Sequence, residues 1–146
     1  MIETFTLYTD GSCPKPQGPG GWASVCLEDR SYDRGHGAVS TTNNRMELMG
    51  AIGGLRALPP SRVTVFSDSE YVIKGFTLYR PKWEAQGWPA RIKNQDLWFD
   101  LIEQVERHIS VAFKHVKGHR GDHYNELADE LAGYQTDLFA RLAVDN

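Results

Sequence analysis

The chain has 146 residues, of which 40% are hydrophobic and 24% charged, and a formal net charge of −3. That length and balance fit one folded domain over residues 1–146 with a core of its own, and exclude a disordered chain. The slight acidity excludes a global pull toward nucleic acid but not a local basic patch; no apolar run approaches the roughly 20 residues that cross a bilayer, and two cysteines are too few for a disulfide scaffold.

Residues 3–9 read as a central strand, with apolar and β-branched side chains on both faces. No basic start with an apolar run precedes it, so no signal peptide is expected. Cys13 and Cys26 then read as reduced thiols of a cytoplasmic protein. Residues 14–21 are a turn-rich loop. Two more strands are expected at 22–27 and 32–39 across a polar turn, which makes the first three an antiparallel meander. Thr42 or Asn43 caps a helix that runs to about Leu58, with an apolar stripe at Leu48, Ala51, Ile52 and Leu55. Glu47 lies at the edge of that stripe, beside the small residues Ala51 and Gly54. Pro59-Pro60 stops the helix.

A fourth strand is expected at 62–67 and a short helix at 70–76. Residues 77–93 carry Pro81, Gly87 and Pro89 and read as irregular. An amphipathic helix follows from Asn94 to about His108, with Leu97, Leu101 and Val105 four apart. Residues 110–115 form a fifth strand, 117–122 a glycine-bearing loop, and Asp122 caps the last helix. Helices interleaved with the late strands imply an α/β fold: a five-stranded mixed sheet covered on both faces.

Four acids stand at the ends of these elements: Asp10 and Asp68 at strand ends, Glu47 and Asp129 in helices. Alone, each has an ordinary reading. Asp10-Gly11 is a hairpin signal, Asp68-Ser69 a helix cap, and Glu47 and Asp129 solvated helix residues. Packed together, they would form an oxygen-rich cluster. Unit charges about 5 Å apart repel by roughly 1 kcal/mol in water and about 3 kcal/mol at an effective dielectric near 20. Divalent cations reverse that sign, so the cluster suits Mg²⁺ and phosphate chemistry.

The neighbours of these acids carry a resemblance. Tyr8-Thr9-Asp10-Gly11-Ser12-Cys13, Gly18-Pro19-Gly20-Gly21-Trp22 and Thr41-Thr42-Asn43-Asn44-Arg45-Met46-Glu47-Leu48 come first. Ser67-Asp68-Ser69, Val116-Lys117-Gly118-His119 and Asn125-Glu126-Leu127-Ala128-Asp129-Glu130-Leu131-Ala132 follow in order. Nearly end to end, the chain resembles a type 1 ribonuclease H of the bacterial kind. The likeness implies the ribonuclease H-like fold, with an antiparallel meander and then parallel strands, flanked by helices. It implies a monomeric endonuclease that cuts the RNA strand of RNA/DNA hybrids, in primer removal and in clearing hybrids at transcription sites. Asp10, Glu47, Asp68 and Asp129 would be its catalytic metal ligands. They would hold two Mg²⁺ ions, with Mn²⁺ as a substitute, and the products would carry 5′-phosphate and 3′-hydroxyl ends.

By the same likeness, His119 is a mobile-loop histidine that moves a proton or aids product release. His115, His119 and His123 lie four apart, but Gly118 and Gly121 interrupt any helix there and no cysteine is close, so a zinc site is not expected. Asn43 and Asn44 would contact the minor groove, and Thr42, Arg45 and Asn94 a DNA phosphate. Residues 74–94 correspond to a basic protrusion that sets Lys74, Arg80, Lys82, Arg91 and Lys93 against one acid, Glu84. Tyr79, Trp83 and Lys93 would touch substrate there, with Trp83 and Trp88 partly packing the protrusion itself. Three features depart from the bacterial pattern: a shorter stretch between Trp88 and Lys93, Pro16 in place of an asparagine, and Glu70 in place of a glutamine. Two other readings stay open from the residues alone, a DNA-cutting relative on the same fold and a hybrid-binding module without activity.

Overall fold

Thr4–Ser12 (β1) buries Phe5 and Leu7 on one face of the sheet and continues through Asp10 and Gly11 before it ends. The structure, a computed structural model, describes residues 2–117 and 122–145. Gly20–Cys26 (β2), every residue of it buried, pairs antiparallel with β1, and Arg34–Ala38 (β3) pairs antiparallel with β2. Arg62–Ser67 (β4) and Ser110–His115 (β5) add parallel strands on the other side of β1, giving the order β3-β2-β1-β4-β5. The expected meander followed by parallel strands is what forms.

Asn43–Ala57 (α1) and Gln95–Arg107 (α4) pack together on one face of the sheet. Between them and the strands lies a core that includes Leu7, Leu48, Ile52, Leu55, Val65, Trp98 and Leu101. His123–Asp145 (α5) crosses β2, β1 and β3 on the opposite face. The expectation of cover on both faces holds only for part of the sheet. In β5, exposed Ser110, Ala112 and Lys114 alternate with half-buried Val111 and Phe113, the pattern of a strand covered on one side.

β1 runs three residues past its expected end and β2 starts at Gly20, inside the expected loop, because the two pair as far as Ser12 and Gly21; two further segments differ from the expected elements. The third strand starts at Arg34 rather than at residue 32, because Arg30–Tyr32 closes a 3₁₀ turn in which the Asp29 side chain accepts the Ser31 N–H. The stretch 77–93 is partly helical. Glu70–Lys74 (α2) leads through a π-helical turn, Gly75–Tyr79, into Arg80–Ala85 (α3). Pro81 falls in the first turn of α3, directly after the π-helical turn, where proline is best tolerated.

Candidate metal and nucleic-acid site

Parallel pairing sets the site. Thr9 of β1 lies opposite Ser67 of β4, so Asp10, still within β1, and Asp68, just past β4, come side by side where the parallel pairing ends. Glu47 reaches them because α1 touches β1 without side chains between. A Cβ on Gly11 would sit 2.3 Å from the Glu47 nitrogen, and one on Gly50 would sit 2.9 Å from the Asp10 carbonyl oxygen. Any larger residue at Gly11 would push the helix and Glu47 off the strand end. The small-residue approach expected at Gly54 is present too, against the Ser24 hydroxyl.

One carboxylate oxygen from each of Asp10, Glu47 and Asp68 lies within 4.8 Å of the others. Asp10 and Glu47 are buried and Asp68 half-buried. Asp10 Oδ1 accepts the Gly11 N–H at 2.9 Å, whereas Glu47 Oε1 is buried without a hydrogen-bond partner among the described residues. Burial, then the charges of Glu47 and Asp68, then hydrogen bonding with Asp129, push the Asp10 carboxyl up to about 10. Burial and Asp68 push Glu47 up to about 8. Without a cation the buried pair therefore holds protons that isolated carboxyls would release, which relieves part of the repulsion. Hard oxygen donors, an orphaned buried oxygen and mutual repulsion are the donor set that a divalent cation relieves. Asp129, exposed on α5, is close enough to hydrogen-bond with Asp10 but is not one of the three carboxylates that lie within 4.8 Å of one another.

The ordinary readings fare differently. Asp68-Ser69 does cap α2, through Ser69, whose hydroxyl accepts the Val72 N–H at 3.2 Å, and that leaves the Asp68 carboxylate to the cluster. Asp10-Gly11 is not a hairpin turn but continues β1 opposite Ala23 and Trp22. His119 lies outside the described residues. His115 is exposed, with Nε2 3.3 Å from the Asp68 carbonyl oxygen, and Asp122 caps α5 by accepting the Tyr124 and Asn125 N–H groups.

Thr42 caps α1 by accepting the Arg45 N–H at 3.2 Å. Asn43 and Asn44 are exposed in the turn that follows, one turn ahead of Glu47. Arg45 and Asn94 meet across the starts of α1 and α4 at 3.3 Å. In the protrusion the aromatics divide. Trp83 is half-buried and in ring contact with Tyr79, Trp88 and Trp98, while Tyr79 is 44% exposed. The basic residues divide as well. Arg80 lies over the Phe76 ring and pairs with Glu84 at 2.7 Å, and Lys74 faces Glu70 at 3.5 Å. Lys82, Arg91 and Lys93 are exposed and in no ion pair among the described residues. Asp96, Tyr71 and Asn125 escape sequence reasoning. Asp96 pairs with a residue 51 positions away. Asn125, four residues before Asp129, is buried with neither amide atom bonded among the described residues. No local pattern marks any of the three.

Comparison with known proteins gives one consistent match. The RNase H family model covers residues 3–136. A Ribonuclease H of Pseudomonas fluorescens is 44% identical over 142 residues, covering 93% of this chain and 92% of its own. One from Bordetella pertussis is 47% identical over 136 residues, covering 89% and 87%. Among solved structures, LC9-RNase H1, described as a type 1 RNase H with the type 2 active-site motif, superposes with a TM-score of 0.80. It is 29% identical, over 92% of this chain and 74% of its own. The N-terminal RNase H domain of a Mycobacterium tuberculosis protein, solved fused to maltose binding protein, gives 0.75 at 22% identity over 96% and 98%, a likeness of fold.

Proposed function

The chain belongs to the ribonuclease H family, and on that premise we propose that it is an endoribonuclease that hydrolyses the RNA strand of RNA/DNA hybrids. The observation that carries the reading is the convergence of Asp10, Glu47 and Asp68 on one point at the sheet end, with a buried oxygen of Glu47 unpaired. A binding module would gain nothing from negative charge facing a polyanion.

Asp10, Glu47, Asp68 and Asp129 would hold two Mg²⁺ ions, with Mn²⁺ as a substitute. Bound there, these would supply Lewis acidity at phosphorus and a water of lowered pKa. The carboxylates fix where that chemistry occurs. Their rigidity comes from buried strand ends and from α1 lying against Gly11. Hydrolysis breaks the bond from phosphorus to the 3′ oxygen, so one product carries a 5′-phosphate and the other a 3′-hydroxyl. His119 would carry a proton away or toward the leaving oxygen.

Substrate would lie across the start of α1. Asn43 and Asn44 offer amides to the minor groove, where 2′-hydroxyls distinguish RNA from DNA. Thr42, Arg45 and Asn94 face a phosphate of the DNA strand. Tyr79 offers an exposed ring for stacking, and Lys93, with Lys82 and Arg91, offers charge to the backbone. Trp83 acts mainly by bracing the ring of Tyr79. The chain works as one monomeric cytoplasmic domain. No helix among the described residues is long and apolar enough to cross a membrane.

The test is cleavage of a labelled RNA strand annealed to DNA, with and without Mg²⁺, beside all-DNA and all-RNA duplexes and an Asp68→Asn variant. Mg²⁺-dependent cutting of the hybrid alone, lost in the variant, is the expected outcome. Cutting of all-DNA duplex, or hybrid binding without cutting in either metal, would overturn it.

A further inference from the structure

Arg45 spans the gap between the starts of α1 and α4 and meets Asp96 there. Its Nη1 donates to Asp96 Oδ1 at 3.0 Å and its Nη2 to Asp96 Oδ2 at 2.7 Å, while Nη1 also reaches Asn94 Oδ1 at 3.3 Å. Asn94 donates through Nδ2 to the Tyr71 hydroxyl at 3.0 Å, and that hydroxyl accepts from Trp98 Nε1 at 3.2 Å. Trp98 is fully buried. An unbroken chain of hydrogen bonds thus runs from the core to a half-exposed guanidinium.

Two features set this apart from an ordinary surface ion pair, which contributes little. Asn94 occupies the left-handed region at φ 61°, at the N-cap of α4, yet its side chain makes no bond to the helix it caps. Its amide is committed to Arg45 and Tyr71 instead, so a mildly strained residue is spent on orienting the arginine. The second feature is which donors remain. A guanidinium has five N–H groups in a plane. Both on Nη1 and one on Nη2 are committed here. The two left over, on Nε and Nη2, lie side by side along one edge, the fork that matches two oxygens of a single phosphate.

We propose that Asp96 is a positioning residue: it clamps Arg45 so that this free edge is presented, in a fixed plane beside Asn94 and Thr42, to one phosphate of the uncut strand. The inference rests on the hybrid-cleaving reading above. Asp96 acts through Arg45 and does not itself meet substrate. The contrary view makes Asp96 a competitor, a carboxylate that occupies the arginine and repels the polyanion. The two views differ in sign. Loss of a competitor raises affinity, and loss of a clamp lowers it although a negative charge has gone.

The experiment uses the full chain with Mg²⁺ and hybrids in which single DNA-strand phosphates are replaced, one at a time, by neutral methylphosphonate. In the native protein one position is expected to raise KM about tenfold, the scale of a charge-assisted bond to phosphate, with kcat unchanged. Asp96→Asn is expected to raise KM about fivefold on the unmodified hybrid and to shrink the penalty at that one position to under twofold. Asp96→Glu, which keeps the charge, is expected to recover most of the lost KM; a general loss of fold would not be rescued this way. A native scan without a sensitive position overturns the proposal. So does a sensitivity that persists in Asp96→Asn, or a KM that falls in that variant. Failure of the native protein to cut unmodified hybrid would instead overturn the functional reading, so the two failures are told apart.

Discussion

The two ends of α1 are held in different ways. At its C-terminal end, side chains from the end of α4 accept the task of satisfying exposed backbone. His108 Nε2 donates to the Leu55 carbonyl at 2.9 Å while Nδ1 accepts the Ser61 N–H at 3.2 Å. Arg107 donates to the Leu58 carbonyl at 3.0 Å. Burial holds His108 below the ordinary imidazole range, neutral and with both ring nitrogens used. At the N-terminal end, Glu47 is equally buried, but it faces two other carboxyls and leaves an oxygen unpaired. Identical packing of one helix thus supports a satisfied corner and a frustrated one. The frustrated corner is where a cation would bind, and its instability without one is the physical cost of the site.

Substitution at the frustrated end should separate activity from stability most sharply. Asp10→Asn is expected to reduce hybrid cleavage by at least about a thousandfold, or about 4 kcal/mol in activation free energy, while the metal-free thermal midpoint holds or rises. A variant that loses both together would remove the contrast between the two corners. The opposite pattern is expected at the satisfied end. His108→Ala strands the buried Ser61 N–H and removes one of two donors to the Leu55 carbonyl, so a loss of about 1–3 kcal/mol in denaturant unfolding is expected, with kcat per folded molecule unchanged.

The two corners should also respond to pH with opposite sign. Asp10 and Glu47 hold protons more tightly folded than unfolded, so their contribution is present at low pH and lost as pH rises through about 8 and 10. Metal-free protein should lose about 1–3 kcal/mol between pH 6 and 9, and Mg²⁺ should restore more stability at pH 9 than at pH 6. His108 works the other way. Its lowered folded pKa gives stability that is present above the ordinary imidazole value and lost as pH falls below it. Urea titrations across pH, with and without Mg²⁺, would read both limbs; a metal-free curve still rising at pH 9 would contradict the carboxyl limb. The smallest effect should lie in the protrusion. Tyr79→Ala is expected to weaken hybrid binding by about 1–2 kcal/mol with little change in stability. Trp83→Ala should chiefly lower stability, since its ring packs against Trp98, and equal affinity losses in the two would blur that division.

Much of this was legible in the chain because it depends on near neighbours. Thr42 and Asp122 cap their helices through N–H groups two or three residues away. Pro59-Pro60 ends α1, since proline next to proline admits no helix, and strand periodicity placed β1, β4 and β5. Local signals misled where a short competing motif intervened. The Asp29 side chain turned the expected start of β3 into a 3₁₀ turn, and Pro81, read as a breaker, sits in the first turn of α3, where proline is tolerated.

Near neighbours along the chain were enough for most of the elements, the four acids at or near their ends and the family likeness those acids and their neighbours carry. Tertiary structure alone decided what the acids do to one another. Only when β1 and β4 pair in parallel and α1 closes on Gly11 do Asp10, Glu47 and Asp68 come within 4.8 Å. Only burial then favours holding protons over separate charges. The same holds for Arg45 and Asp96, unremarkable 51 residues apart, whose meeting depends on α1 and α4 packing with their starts side by side. Coulomb energy and desolvation depend on distance in space, and a linear chain does not carry that distance.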